Sequence, residues 1–266
     1  MRGNNEDNFY CDGLSLTPEN RDSPFAASAG GGVPRVFAVF DGMGGAEDGE
    51  FASLTAAQTL ARYAEHMKVA SGDELDAVVQ DFVTDVNDAL CREMRARSIR
   101  MGATLALAVV TAQGARLYTI GDSRIYAFAN GALQLLSEDH TVAMQKMKMG
   151  IYDEEKARRS GDWSKLNRCL GTFEDEMYAT ADVRPMFAPH GGYRLLLCSD
   201  GLTDMVRDDR IAELLRGAKS ADEATAALLD EALRNGGRDN VTCVVADVPP
   251  RGMLDRLMQK KPRRRR

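Results

Sequence analysis

Four aspartates stand where an apolar run meets a turn, a place from which a strand can deliver a side chain to the edge of a core. The junctions are VFAVF before Asp41, LYTIG before Asp122, LLLCS before Asp200, and Asp239-Asn240 before VTCVVA. Apolar runs of this length that are bounded by turn residues are typical of buried strands. We therefore expect these carboxylates to gather at one edge of the core.

Gathered carboxylates need a counter-charge. Two of them about 4 Å apart repel each other by roughly 4 kcal/mol at an effective dielectric constant near 20. Cations between them remove that repulsion, and ligand sets made only of oxygen favour Mg²⁺ or Mn²⁺. The pattern therefore predicts a site for divalent metal ions.

The elements that must position these residues are predicted from hydrophobic periodicity. Helical spacing covers residues 50–67 and 75–94, and shorter helical stretches cover 208–215 and 222–234. Strands are predicted at 36–40, 104–111, 116–120, 125–128, 133–136, 193–199 and 241–248. The four runs between 104 and 136 are separated by turn pairs such as Gln113-Gly114 and Asn130-Gly131, which predicts an antiparallel meander.

The strand runs are apolar on both alternating faces, as in LYTI, LLLC and VTCVV. A sheet with one face in water would alternate apolar and polar residues instead. Each sheet is therefore expected to be covered twice, by another sheet on one side and by helices on the other. This predicts an α+β fold, a four-layer α-β-β-α sandwich in which two antiparallel sheets are flanked by helices.

Composition limits the class of protein. The 266 residues are 44% hydrophobic and 28% charged, which is ordinary for a globular domain, and the net charge is −6. Residues 251–266 carry eight Lys and Arg side chains and one Asp, so the rest of the chain is strongly acidic. An acidic body argues against nucleic-acid binding. No signal peptide or transmembrane segment is predicted, so we expect a cytoplasmic protein.

Five blocks stand in a fixed order along the chain: Arg2-Gly3-Asn4-Asn5-Glu6-Asp7, Asp41-Gly42-Met43-Gly44-Gly45, Gly121-Asp122-Ser123-Arg124, Ser199-Asp200-Gly201-Leu202 and Asp239-Asn240-Val241-Thr242. Together they resemble the signature blocks of the bacterial type of PP2C (PPM family) metal-dependent serine/threonine protein phosphatases. The resemblance runs from residue 2 to about 248. It implies a phosphatase domain at residues 1–250 with a variable flap at 140–178, followed by a basic C-terminal tail at 251–266.

The resemblance also implies a role for each matching residue. Asp41 would bridge two Mn²⁺ or Mg²⁺ ions, and the Gly42 carbonyl would bind one of them. Asp200 and Asp239 would complete the ligands of one ion, and Glu6 would reach the other through water.

Two further roles are implied. Asp122, helped by Asp204, would hold a third and weaker ion, with a plain turn or capping role as the alternative for each. Arg2 would grip the phosphate of the substrate, since a guanidinium can bind two phosphate oxygens at once. The family places a strand before this arginine, and the alternative for Arg2 is a frayed terminal residue.

By the same resemblance, a hydroxide that bridges the two ions attacks phosphorus and hydrolyses phosphoserine or phosphothreonine in proteins. The expected partners are phosphorylated proteins, including a Ser/Thr kinase and its targets, and the expected state is a monomer. Met43 departs from many relatives, which carry histidine there as a proposed general acid, because methionine has no proton to donate.

Two other functions compete with this one. A pseudophosphatase would bind a partner without turnover and should lack one of the metal carboxylates, yet all of them are present. The run from Cys91 to Arg97 has the C-x₅-R spacing of cysteine-dependent tyrosine phosphatases. That chemistry needs a loop whose N–H groups point at phosphate, whereas this segment is predicted to be helical.

Overall fold

The computed structural model describes residues 4–20, 24–173, 176 and 179–250. The strands within those residues are β1 (Asp7–Cys11), β2 (Arg35–Met43), β3 (Gly102–Ala103), β4 (Leu105–Thr111), β5 (Gly114–Ile120), β6 (Arg124–Ala129), β7 (Ala132–Leu135), β8 (Asp182–Phe187), β9 (Tyr193–Cys198) and β10 (Cys243–Val248). The helices are α1 (Ala46–Val69), α2 (Gly72–Arg97), α3 (Val142–Lys148), α4 (Glu154–Arg159), α5 (Asp200–Thr203), α6 (Asp208–Gly217) and α7 (Ala221–Arg234).

The strands form two antiparallel sheets. The first has the order β1-β2-β4-β5-β8, and the short β3 pairs with the end of β2. The second has the order β10-β9-β6-β7. Together with the helices, these sheets confirm the predicted α+β class.

Three hydrophobic clusters separate four layers. Leu60 of α1 and Phe82 of α2 pack with Phe40 of β2 in the first cluster. A second cluster lies between the sheets, and a third lies between the second sheet and α5, α6 and α7. The run LLLC shows why both faces are apolar, because Leu195 and Leu197 face the other sheet whereas Leu196 faces the helices.

The predicted single meander is wrong. β4 and β5 form a hairpin in the first sheet, whereas β6 and β7 form a hairpin in the second. The chain crosses between the sheets at Gly121–Ser123. Gly121 has φ +93, and a Cβ there would lie 2.7 Å from Cγ2 of Thr104, so the crossing requires glycine. Periodicity reports a strand and its faces, but it carries no information about which sheet the strand joins.

The other differences are smaller. The four helical stretches predicted from spacing are α1, α2, α6 and α7, with ends that differ by a few residues. β1 and β8 were not predicted, and both are edge strands with polar residues among their apolar ones. Within the described ranges, no helix has both the length and the apolar content that crossing a bilayer requires.

Candidate metal centre

Asp41 lies at the centre of the site. β2 continues through Asp41 to Met43, so this aspartate stands inside the strand and not after it. Its backbone is fixed by Thr104, which donates its N–H to the Asp41 carbonyl (2.9 Å) and accepts the Asp41 N–H through Oγ1 (2.9 Å). The hydroxyl groups of Thr104 and Ser123 are 2.6 Å apart, which ties this strand to the crossing that carries Asp122.

Asp7 is a site residue that sequence reasoning missed. It is paired with Asp41 across the β1–β2 ladder, and it is buried. Ser199 donates its hydroxyl to Oδ2 of Asp7 at 2.7 Å. Burial, together with the negative charges of Asp200 and Asp239, raises the pKa of Asp7 to about 7 against the lowering effect of hydrogen bonds. The one available signal was its place beside Glu6 in the first block.

The carboxylates from separate parts of the chain act on one another. Burial raises the pKa of Asp41 well above its usual value, and the charges of Asp7, Asp200, Asp122 and Asp239 raise it further. These five residues, which we call the carboxylate cluster, come from β1, β2, the crossing after β5, the start of α5 and the turn before β10. The structure thus brings Asp41, Asp122, Asp200 and Asp239 together as the sequence predicted.

Asp122 and Asp204 lie at one side of the carboxylate cluster. Both line a pocket together with Asp200 and with Trp163 of the flap segment. The pKa of Asp122 is raised to about 8, first by burial and then by the charges of Asp200 and Asp139. Burial also raises the pKa of Asp204, although a hydrogen bond with Trp163 opposes that rise.

A fixed cation borders the same pocket. Arg124 is bound to Asp139 in a buried ion pair at 2.6 Å. Its charge lowers the pKa of both Asp122 and Asp204, but less than burial raises them. One guanidinium that is already neutralised by Asp139 cannot balance several buried carboxylates.

Glu6 is buried beside the carboxylate cluster. Gly42 donates its N–H to the Glu6 carbonyl at 3.1 Å. Oε2 of Glu6 occupies the space that a Cβ on Gly49 of α1 would fill, and a Cβ on Gly42 would overlap the Gly49 carbonyl. Glycine at 49 therefore makes room for the Glu6 carboxylate, and glycine at 42 lets the backbones of β2, α1 and Glu6 approach one another.

The donors fit hard divalent cations. All of them are oxygens, Glu6 and Asp7 are buried while Asp41, Asp122, Asp200 and Asp239 are partly buried, and mutual repulsion disfavours the charged state that metal ions would stabilise. Within the described part of the chain, however, no three His, Cys, Asp or Glu side chains already stand in a metal-binding arrangement.

The remaining candidates lie elsewhere. Arg2 is outside the described residues. Met43 pairs with Gly102 at the end of β2. His140 is buried. Its backbone N–H donates to the Gly121 carbonyl, and its Nδ1 accepts the Gly121 N–H. Its Nε2 lies 3.1 Å from Oδ2 of Asp182. His140 therefore supports the crossing that carries Asp122.

The C-x₅-R segment forms no phosphate loop. Cys91 lies within α2, which continues to Arg97. Burial raises the pKa of the Cys91 thiol, so a reactive thiolate is disfavoured. The helical prediction for this segment is confirmed, and the tyrosine-phosphatase hypothesis has no site here.

Comparison with known proteins identifies the family. A family model described as protein phosphatase 2C matches residues 19–236. The serine/threonine protein phosphatase PstP of Mycobacterium tuberculosis is 36% identical over 231 residues, which are 86% of this chain and 42% of PstP. The serine/threonine phosphatase stp of Listeria monocytogenes is 30% identical over 212 residues, which are 79% of this chain and 82% of that protein.

Solved structures agree with this assignment. The crystal structure of the catalytic domain of PstP in complex with two manganese ions has a TM-score of 0.74 and 32% sequence identity, and the match covers 94% of both chains. The chain spans less than half the length of the curated PstP sequence, so the similarity concerns its catalytic part. From its sequence and its architecture, this chain belongs to the protein phosphatase 2C (PPM) family.

Proposed function

We propose that this protein hydrolyses phosphoserine and phosphothreonine in other proteins and that the reaction depends on divalent metal ions. The observation that carries the proposal is the carboxylate cluster, in which five acidic side chains from distant segments meet and the pKa values of Asp7, Asp41 and Asp122 are raised by burial and by neighbouring carboxylates. Such a cluster is costly unless cations neutralise it. The PstP catalytic domain, a relative of this chain, was crystallised with two manganese ions.

Each ligand has an assigned place in the proposal. Asp41 and the Gly42 carbonyl, together with Asp200 and Asp239, would hold two Mn²⁺ or Mg²⁺ ions, and Glu6 would act on them through water. When bound, the two ions supply an activated water as the nucleophile and neutralise the charge that builds up on phosphate.

A third, weaker ion is proposed for the pocket beside the cluster. Asp122 and Asp204 both line this pocket, and burial raises the pKa of each. The two groups would then favour a cation over a shared proton. Trp163 reaches Asp204 from the flap segment, residues 140–178, so this segment borders the proposed site.

Arg2 is proposed as the phosphate-binding residue, and phosphorylated proteins, including a Ser/Thr kinase and its targets, as the substrates. Asn4 and Glu6, which follow Arg2 closely in the chain, lie beside the carboxylate cluster. We also propose that residues 1–250 form the phosphatase domain and that 251–266 form a separate basic tail.

The decisive experiment measures phosphate release from a phosphothreonine peptide. We expect turnover with Mn²⁺ or Mg²⁺, loss of turnover when a chelator is added, and recovery when the metal is restored. An undiminished rate in excess chelator would contradict the proposal. Peptide binding without turnover at any metal concentration would instead favour the pseudophosphatase.

A further inference from the structure

Asn240 binds the residues just before β1 through one side chain, although it lies far from them in the sequence. Its Oδ1 accepts the backbone N–H of Glu6 at 3.0 Å, and its Nδ2 donates to the carbonyl of Asn4 at 3.0 Å. These contacts span 234 and 236 positions of sequence. Asn240 directly follows the proposed ligand Asp239. The short turn that contains both residues therefore carries one proposed metal ligand and contacts the backbone of another, Glu6.

The side-chain amide of Asn240 can satisfy both backbone groups that it contacts, the Glu6 N–H and the Asn4 carbonyl. The Asn4 carbonyl needs a donor and the Glu6 N–H needs an acceptor, and both groups face Asn240. A primary amide supplies both from one planar group. β1 is the edge strand of its sheet, so β2 is its neighbour on one side and the Asn240 amide bonds the residues just before it on the other.

Glu6 is thereby held from both sheets. Gly42 in β2 of the first sheet donates to its carbonyl, and Asn240, three residues before β10 of the second sheet, accepts its N–H. The carboxylate of Glu6 sits in the space left by Gly49. With both backbone groups bonded, the direction in which this side chain leaves the main chain is fixed.

We infer that Asn240 is a positioning residue, which fixes Glu6 for metal binding by clamping the backbone of residues 4–6. The inference rests on the proposed function, since it gives Glu6 its task. Asn240 itself binds no metal ion in this scheme and acts through the Glu6 backbone. Partners that orient a metal ligand in this way typically contribute about 10- to 100-fold to metal affinity or activity.

The test compares Asn240→Ala with the matched control Asn235→Ala. Asn235 also donates its Nδ2 to a backbone carbonyl, that of Met205 at 2.9 Å, but it does so at the end of α7. For Asn240→Ala we expect rapid hydrogen exchange at the Glu6 amide and manganese affinity, measured by equilibrium dialysis, that is about 10- to 100-fold weaker. Asn235→Ala should leave both quantities within about twofold, the size expected of a surface substitution.

A conservative variant separates positioning from general damage. Asn240→Asp keeps an acceptor for the Glu6 N–H but replaces the donor to the Asn4 carbonyl with a second acceptor, so it should slow exchange at the Glu6 amide relative to Asn240→Ala without restoring it fully. Unchanged exchange and affinity in Asn240→Ala, or no recovery in Asn240→Asp, would overturn the inference.

Two outcomes remain informative if Asn240→Ala does not fold. Rapid exchange of the Glu6 amide in the unsubstituted protein would by itself overturn the clamp, and slow exchange there that Asn240→Asp retains in part would support it. If the unsubstituted protein fails to release phosphate, the proposed function fails, whereas the exchange rate at Glu6 still decides whether the clamp exists.

Discussion

The carboxylate cluster and the flap segment lie side by side but are held in different ways. Asp7 and Asp41 belong to paired strands, and hydrogen bonds from buried groups fix their surroundings. In the flap, α3 and α4 carry ion pairs that face solvent, such as Arg159 with Glu155, whose side chains are 78% and 73% exposed. Exposed pairs of this kind contribute about 0–1 kcal/mol each.

This difference indicates which residues should tolerate substitution and which should not. The positions of the buried carboxylates depend on the packing of two sheets, so a change there disturbs the core. The flap can exchange its surface pairs at little cost in stability. We therefore expect substitutions in the cluster to change activity strongly and substitutions on the surface of the flap to change it weakly.

The largest effect is expected for Asp41→Asn. Activity on a phosphothreonine peptide should fall by more than about 100-fold, because the loss of a partner that only orients a ligand already costs about 10- to 100-fold. Without metal, the same variant should unfold at a higher temperature, because it removes a buried charge that its neighbours repel. Each kcal/mol gained corresponds to about 2–4 °C in a domain of this size, measured by thermal unfolding in chelator.

Asp247→Asn is the matched control. Asp247 of β10 forms an ion pair with Arg194 of β9, and the Asp247 side chain is 48% exposed. Activity should stay within about twofold, because Asp247 bonds Arg194 and not a residue of the carboxylate cluster. Equal activity of Asp41→Asn and the unsubstituted protein would remove the cluster from the mechanism.

The next effect is expected for Gly49→Ala. The new methyl group would overlap Oε2 of Glu6 most severely and displace the carboxylate, and it would also crowd the Gly42 carbonyl. We expect kcat/KM to fall by about 10- to 100-fold, with a higher manganese concentration needed for half-maximal activity. In Gly217→Ala, at the end of α6, the added methyl group meets no atom within 4 Å, so activity should be retained. Equal kcat/KM values for the two variants would contradict the role of Glu6.

Without metal, the free energy of unfolding should depend on pH, and the raised pKa values in the carboxylate cluster set the direction of that dependence. The pKa of Asp7 is raised to about 7 and that of Asp122 to about 8, so the folded state holds protons that the unfolded state releases near pH 4. The free energy of unfolding in chelator should therefore fall as pH rises from about 4 to 8. The slope should reach about 1.4 kcal/mol per pH unit for each proton retained.

Manganese should flatten or reverse this slope, because ions bind the deprotonated carboxylates. Denaturant unfolding at several pH values, with chelator and with Mn²⁺, measures both slopes. A free energy of unfolding in chelator that rises between pH 5 and 8 would contradict the burial of these charges.

The smallest effects are expected in the flap. Trp163→Phe removes the N–H that bonds Asp204, so activity at limiting manganese should fall by less than about tenfold and recover at saturating manganese. Lys148→Ala removes an exposed partner of Glu138 and should change activity by less than about twofold. A loss in Lys148→Ala as large as in Asp41→Asn would reverse the proposed ranking of the two regions.

The sequence predicted most of the cluster because its signal is local. Asp41, Asp122 and Asp200 follow apolar runs, and an apolar run that meets a turn is visible in a short window of residues. Asp7 has no such signal, since the residues before it are polar and β1 is an edge strand. Its role depends on pairing with Asp41, and that contact exists only in the assembled sheet.

The path of the chain between the sheets was harder to predict. The residues of β5 and β6 are apolar on both faces whichever sheet they join, so one meander and two separate hairpins have the same pattern. The clamp by Asn240 was missed for a similar reason. An asparagine beside an aspartate is typical of a turn, and only the fold places the first residues of the chain next to it.

The contact between Thr104 and Ser123 has a mechanical consequence. The Thr104 hydroxyl accepts the Asp41 N–H, and the Ser123 hydroxyl belongs to the crossing into the second sheet. Their contact therefore links the two sheets. Any sliding of one layer over the other must stretch it and move Asp122 relative to Asp41. The hydrophobic cluster between the two sheets therefore also helps to set the distance between Asp41 and Asp122.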